Sequence, residues 1–147
     1  MPGYIAPPQR TDWATPQPLF DQLNREFRFV LDVCASADNA KCPSYYDAEA
    51  LSRPWNLHPG TTWSGWWFCN PPYGRGLGAW VTKGCEERRG VMLIPARTDV
   101  KWFHTHLWNE AQHDPRAGIE LRFVKGRLRF TGATASAPFP SLIVVIR

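Results

Sequence analysis

Apolar residues recur along this chain in two rhythms, one helical and one of strands. Leu19, Phe20, Leu23 and Phe27 fall on one face of a 3.6-residue period. They predict an amphipathic helix over Pro16–Phe27, with Thr15 as N-cap and Pro16 at its first position. Phe29 to Cys34 predicts a strand. Residues 35–65 are rich in Ser, Pro, Asn and Gly and predict irregular structure. Trp66-Trp67-Phe68-Cys69 predicts a short buried strand. Gly78 to Arg88 predicts a helix that turns Trp80 and Cys85 inward. Val91 to Pro95 is apolar throughout, the signature of a parallel strand covered on both faces. Asp99 to Glu110 predicts a helix capped by Thr98 or Asp99. Glu120–Lys125 and Leu128–Phe130 predict a hairpin around Gly126, and Leu142–Ile146 a last buried strand. Strands alternating with helices, then a terminal antiparallel pair, predict an α/β fold with a mostly parallel sheet.

Length bounds this picture. At 147 residues the chain predicts a single domain, residues 13–147, behind a flexible arm, residues 1–12. No run of 18 apolar residues is present, so no transmembrane helix is expected. Met1–Arg10 is Pro-rich, with no apolar core of a signal peptide. The cysteines, Cys34, Cys42, Cys69 and Cys85, stand at wide and irregular spacings without a C-x-x-C pair. No zinc site is expected, and a reducing cytoplasm fits better than a disulfide scaffold. Cys34, Cys69 and Cys85 lie in apolar segments and read as small core residues.

Charge adds a direction. Residues 1–74 hold five Lys/Arg and seven Asp/Glu, a net −2, whereas residues 75–147 hold twelve and six, a net +6. The C-terminal half therefore suits an anionic partner. Arg122, Lys125, Arg127 and Arg129 form its densest basic cluster. Eight Trp residues are available for a core or for base stacking.

The chemistry concentrates at Asn70-Pro71-Pro72-Tyr73, directly after the strand Trp66–Cys69 and before the glycine-rich Gly74-Arg75-Gly76-Leu77-Gly78. Two prolines stiffen the backbone and fix its φ. Read alone, the stretch is also a strand end followed by a proline turn. The carboxyl end of a strand is, however, where open α/β sheets bind ligands. The Asn70 side chain, the Pro71 carbonyl and the Tyr73 ring there suit a planar amide or a nucleobase carrying an exocyclic NH2. The acceptors would hold the N–H groups and direct the nitrogen lone pair at an electrophile. Two further segments join them. Asp32 ends a predicted strand ahead of small residues, Val33-Cys34-Ala35-Ser36, where a carboxylate could hold an ammonium or a hydroxyl. Ala14-Thr15-Pro16-Gln17 offers a hydroxyl and free N–H groups at a helix start, which could bind a carboxylate.

Taken in order, Thr15-Pro16, then Asp32-Val33-Cys34-Ala35, then Asn70-Pro71-Pro72-Tyr73 resemble the S-adenosylmethionine-dependent amino-methyltransferases. More closely, the chain resembles the phage-type DNA N-6-adenine methyltransferases (Dam-like). The resemblance runs from about Trp13 to Ile146. It includes Asn39-Ala40-Lys41-Cys42, Pro95-Ala96-Arg97-Thr98-Asp99 with Lys101-Trp102-Phe103, Lys125-Gly126-Arg127-Leu128, and Ala137-Pro138-Phe139-Pro140-Ser141.

The resemblance implies a minimal Rossmann-like methyltransferase fold and S-adenosyl-L-methionine as cofactor. It implies double-stranded DNA as substrate, no metal and no membrane. Asn70 and Pro71 would bind the target amine, with Pro72 stiffening the turn and Tyr73 stacking on a flipped adenine. Thr15, Pro16, Asp32, Cys34, Ala35 and Asn70 would surround the cofactor. Asp47 or Glu49 would address its adenosine part, with Glu49 preferred because it precedes Ala50-Leu51 and Trp55. Arg75, Arg97, Lys101, Trp102, Lys125 and Arg127 would face DNA.

The loop after Asp32 lacks the usual glycine-rich pattern, as the resembling family does. No separate recognition domain is visible. Recognition would fall to residues 50–65, 97–118 or 122–129, with a partner or a homodimer completing it. Two other readings stay open: methylation of RNA or of a glutamine amide, and a non-catalytic nucleic-acid-binding module. The resemblance also implies a phage-encoded modifier working in the cytoplasm of a bacterial host, against restriction.

Overall fold

The computed structural model describes residues 13–61 and 65–147. The arm predicted over residues 1–12, and residues 62–64 of the segment predicted as irregular, lie outside the described residues.

Helix α1 (Gln17–Phe27) buries Phe20, Leu23 and Phe27, one stripe at helical spacing. Each such phenylalanine contributes about 1.5–3 kcal/mol through area removed from water. Phe20 and Phe27 meet Phe29, Trp66 and Phe68 of the first two strands at ring-centroid separations of 4.9–6.0 Å. The helix ends at Arg28, a left-handed residue (φ 56°) whose N–H reaches the Asn24 carbonyl. The Asn24 side chain then accepts the Phe29 N–H at 2.8 Å and turns the chain into the sheet.

Strands β1 (Phe29–Asp32), β2 (Trp66–Cys69) and β3 (Gly90–Pro95) run parallel. Helix α2 (Leu77–Glu87) connects β2 to β3. Two-residue strands β4 (Trp108–Asn109) and β5 (Asp114–Pro115) form a separate antiparallel pair. Strand β7 (Ser141–Ile146) lies antiparallel between β3 and β6 (Ile119–Phe123), giving the order β1-β2-β3-β7-β6. Since β7 opposes both neighbours, β6 points the same way as the first three strands. The carboxyl ends Asp32, Cys69, Pro95 and Phe123 therefore share one edge of the sheet. Strands β3 and β7 are buried along their whole length.

Helix α2 buries Leu77, Val81 and Gly84, and the expected inward residues Trp80 and Cys85 are half-buried against the same core. Three expectations are corrected. Thr15 is not the N-cap: Pro16 holds that position without a side-chain cap, and the Thr15 hydroxyl is engaged by Asn70. The helix expected over Asp99–Glu110 is only a short turn ending in π geometry at Phe103–Leu107. Arg116 takes the carbonyls that a longer helix would use: its guanidinium donates to His104 O at 2.6 and 3.0 Å, and its N–H to Leu107 O at 2.8 Å. The hairpin around Gly126 does not form, since β6 pairs with β7 and Leu128–Phe130 is not a strand. Residues 124–140 instead make an excursion closed by Ala137 N–H to Leu128 O at 2.8 Å and Val124 N–H to Ser141 O at 3.3 Å.

All four cysteines are free; Cys42 and Cys69 are buried and Cys34 and Cys85 half-buried. Trp55 and Trp67 belong to the core rather than to a stacking surface. Among the described residues, no helix is long and apolar enough to cross a membrane, and no three or more His, Cys, Asp or Glu gather as metal ligands.

Candidate functional site: a cleft at the carboxyl ends of the first two strands

The ends of β1 and β2 open into a cavity of about 540 Å³, within the range of small-molecule and cofactor sites. Thr15, Asp32, Cys34, Ala35, Asp47, Glu49, Asn70, Pro71 and Pro72 all contribute to its wall. Pro16 and Tyr73 do not. Trp13, Lys41, Leu51 and Trp80 line it as well, though none is expected as a site residue from the sequence.

Asp32 is 3% exposed. Its carboxylate gathers the loop that follows, accepting the Cys34 N–H at 3.3 Å and the Lys41 N–H at 3.0 Å. Burial pushes its pKa up to about 6, against the two N–H groups and the Lys41 charge. A cation or hydroxyl entering the cavity would relieve that penalty. Burial beside Asp32 likewise pushes the Cys34 thiol up to about 11, so it is no nucleophile.

An acidic pair, Asp47 and Glu49, stands at the rim. The backbone at Ser44–Tyr46 runs alongside the end of β1: Asp32 N–H reaches Ser44 O at 3.0 Å, Tyr46 N–H reaches Asp32 O at 2.9 Å, and Ala35 N–H reaches Tyr46 O at 3.0 Å. This one-residue bridge at Tyr45 extends the sheet beyond β1. Asp47 and Glu49 follow it and are exposed. Glu49 adopts a left-handed conformation (φ 57°), and Ser52 holds its carbonyl through both N–H and hydroxyl.

Asn70 follows β2 directly. Its Nδ2 donates to the Trp13 carbonyl and, at 2.9 Å, to the Thr15 hydroxyl. Its Oδ1 is buried and accepts no hydrogen bond. An orphaned buried acceptor typically costs about 1–3 kcal/mol, the kind of local penalty that functional sites retain. Among the described residues no hydrogen bond reaches the Pro71 carbonyl either.

Tyr73 is not a free stacking face. It is 4% exposed, and its hydroxyl donates to Leu93 O at 3.1 Å. Phe139 meets its ring edge-on at 5.4 Å and Phe130 at 6.3 Å, and Trp13 covers both phenylalanines at 5.2 and 5.3 Å. Phe130 and Phe139 come from the 124–140 excursion. The proline-flanked Phe139 in Pro138-Phe139-Pro140 is the sequence feature that could point to this cluster.

The basic residues divide into two groups. Arg75, Arg97, Lys101, Lys125 and Arg127 are exposed. Arg122, part of the densest cluster, is tied to Glu26 at 2.6 Å and to Glu120, on the α1 face of β6. Trp102 is half-buried; a Cβ on Gly78 would lie 3.0 Å from its ring, so it packs on the start of α2.

Asp32, Asp47 and Glu49 thus line a cleft at the end of parallel strands, beside an amide with its donors tied down. The sequence model of the DNA N-6-adenine-methyltransferase (Dam) family matches residues 5–145, and the chain belongs to that family. It is also similar to "Putative methyltransferase YfdM" of Escherichia coli (strain K12), 44% identical over 64 residues, which cover 42% of this chain and 69% of that protein.

Proposed function

We propose that this protein transfers a methyl group from S-adenosyl-L-methionine to the N6 amine of adenine in double-stranded DNA. The observation that carries this is the Asn70 amide, whose NH2 is occupied by Trp13 and Thr15 and whose Oδ1 has no partner. The family match supports a methyltransferase and favours DNA adenine as the target.

The sheet order fits a Rossmann-like methyltransferase fold of minimal size, with one strand reversed near the C-terminal edge. The cavity fits the cofactor by its chemistry. Asp32 would hold its methionine end, and Asp47 or Glu49 its ribose hydroxyls. Leu51 and Trp80 supply apolar wall. When bound, S-adenosyl-L-methionine supplies an electrophilic methyl on a sulfonium.

The chain's own residues do the rest. An adenine amine is a weak nucleophile because its lone pair is delocalised into the ring. Asn70 Oδ1 and the Pro71 carbonyl, accepting its two N–H groups, would draw the lone pair out of the ring and stabilise the growing positive charge. Holding amine and methyl in line supplies much of the remaining acceleration. The proton is lost to water. Because Oδ1 is buried, an amine reaches it only after a neighbouring group shifts. The exposed Arg75, Arg97, Lys101, Lys125 and Arg127 would contact phosphates, and the site of action would be the cytoplasm of a bacterial cell.

The test is transfer of labelled methyl to unmethylated DNA, with nucleoside analysis of the product and Asn70→Ala as control. The expected product is N6-methyladenine, absent with the variant while cofactor binding persists. Transfer to RNA or to a glutamine peptide, with none to DNA, would overturn the substrate assignment. Absence of cofactor binding would overturn the enzyme assignment.

A further inference from the structure

We propose that Thr15 is a positioning residue that sets the orientation of the Asn70 amide, an inference that rests on the amine-binding role proposed for Asn70. An amide can face its surroundings two ways round, and only one leaves oxygen free. The Trp13 carbonyl can only accept, so the amide must present its NH2 there. The Thr15 hydroxyl, 2.9 Å from the same nitrogen, takes the second N–H and fixes the amide plane. With both hydrogens engaged, the amide is polarised toward Oδ1, which becomes the stronger acceptor for an amine gaining positive charge.

The segment carrying these two acceptors is itself held. Thr15 is 5% exposed. Thr131 donates its N–H to Ala14 O at 2.9 Å and its hydroxyl to Thr15 O at 3.1 Å. The Trp13 ring lies against Phe130 and Phe139. The 124–140 excursion thus fixes residues 13–15, and residues 13–15 fix Asn70. Thr15 does not cap α1, so the helix start does not explain its hydroxyl.

The test reads the amide directly. In protein labelled with 15N-asparagine, the Asn70 side-chain NH2 signal is identified by its loss in Asn70→Ala. The expected result is slow exchange of its protons in the wild type, exchange at least tenfold faster in Thr15→Ala and Thr15→Val, and recovery in Thr15→Ser. Unchanged exchange in both hydroxyl-free variants would overturn the inference. Methyl transfer supplies the second arm. Hydroxyl-free variants should lose at least tenfold in kcat with KM for S-adenosyl-L-methionine within about twofold, and serine should restore most of kcat. A raised KM with intact kcat would make Thr15 a cofactor contact and overturn the positioning role. Absence of transfer by the wild type would overturn the reaction assigned above, and the amide signal would then decide the Thr15–Asn70 link on its own.

Discussion

The indole of Trp67 occupies the space that a side chain at Gly90 would need. A Cβ on Gly90 would lie 1.9 Å from Trp67 Cε2, and Trp67 has nowhere to go. It is 1% exposed, its Nε1 donates to Arg88 O at 2.7 Å, and Trp55 meets it edge-on at 4.9 Å. Gly90→Ala should therefore destabilise the fold by about 3 kcal/mol or more, at the upper end of overpacking penalties. Gly84→Ala is the contrast. A Cβ there would meet Met92 Sδ at 2.9 Å, the fixed Trp67 Cη2 at 3.0 Å and Ile146 Cδ1 at 3.2 Å, so its neighbours must give by only a few tenths of an ångström, offset in part by about 0.5–1 kcal/mol of helix propensity. Urea unfolding of the two variants should separate them clearly. Equal midpoints would show that Trp67 can move aside.

Asp32 links pH to the cleft. Burial raises its pKa to about 6 from 3.8, so between those values the folded chain binds more protons than the unfolded one. The contribution of this group to stability is then fully present below about pH 4 and is lost as pH rises to about 6. A cation bound beside Asp32 should reverse the preference, since it favours the carboxylate. Affinity for S-adenosyl-L-methionine should rise between pH 5 and 7 in the wild type and stay flat in Asp32→Asn. Calorimetric titration across that range checks it. A parallel rise in the variant would assign the effect to another group.

Asn70→Asp probes the acceptor pair from the opposite side. A carboxylate cannot donate to the Trp13 carbonyl, which now receives its hydrogen bond from Nδ2. The ionised variant would set two oxygens against each other in a buried place, a loss of about 2–4 kcal/mol. The protonated acid can donate, so the variant's carboxyl should titrate with a raised pKa. Its stability relative to the wild type should be best at low pH and fall as pH rises through that pKa. Thermal unfolding at pH 5 and pH 8 measures it. A difference from the wild type that does not change with pH would mean the aspartate has turned away from Trp13.

The elements readable from sequence were those whose burial follows a local period. The Phe20–Leu23–Phe27 stripe of α1 and the unbroken apolar runs of β3 and β7 are of this kind. What failed depends on partners distant in the chain. Alternation at Glu120–Lys125 shows a strand but not its neighbour, and Ile119 pairs with Ile146 rather than with the residues after Gly126. Trp102, Phe103, Leu107 and Trp108 mimic helical spacing, yet Arg116 ends the turn from outside it. At the cleft, Asp32 and Asn70 were visible as polar residues closing apolar strands. Trp13 and Thr131 were not, because one acts through its main-chain carbonyl and the other through hydrogen bonds to residues 14 and 15.

The same division by partner governs the basic residues and gives the last prediction. Arg122 sits in ion pairs with Glu26 and Glu120, which hold its guanidinium on the α1 face and push its pKa further up. Lys125 and Arg127 lie a few residues on, past the carboxyl end of β6 and on the edge of the sheet where Asn70 also lies. Lys125 is exposed, and the Arg127 guanidinium makes one long hydrogen bond, 3.5 Å, to Ala137 O. Under the DNA reading, Lys125→Ala and Arg127→Ala should each weaken binding across unrelated sequences. Each should also flatten the plot of log affinity against log salt by about 0.9 for a lost phosphate contact. Arg122→Ala should leave that slope unchanged while lowering stability by about 0.5–1 kcal/mol, the range of a partly exposed ion-pair network. Fluorescence anisotropy of labelled duplex at several salt concentrations measures the slopes. Should Arg122→Ala alone change the slope, the DNA would run over the α1 face, away from the cleft, and the proposed approach to Asn70 would fail.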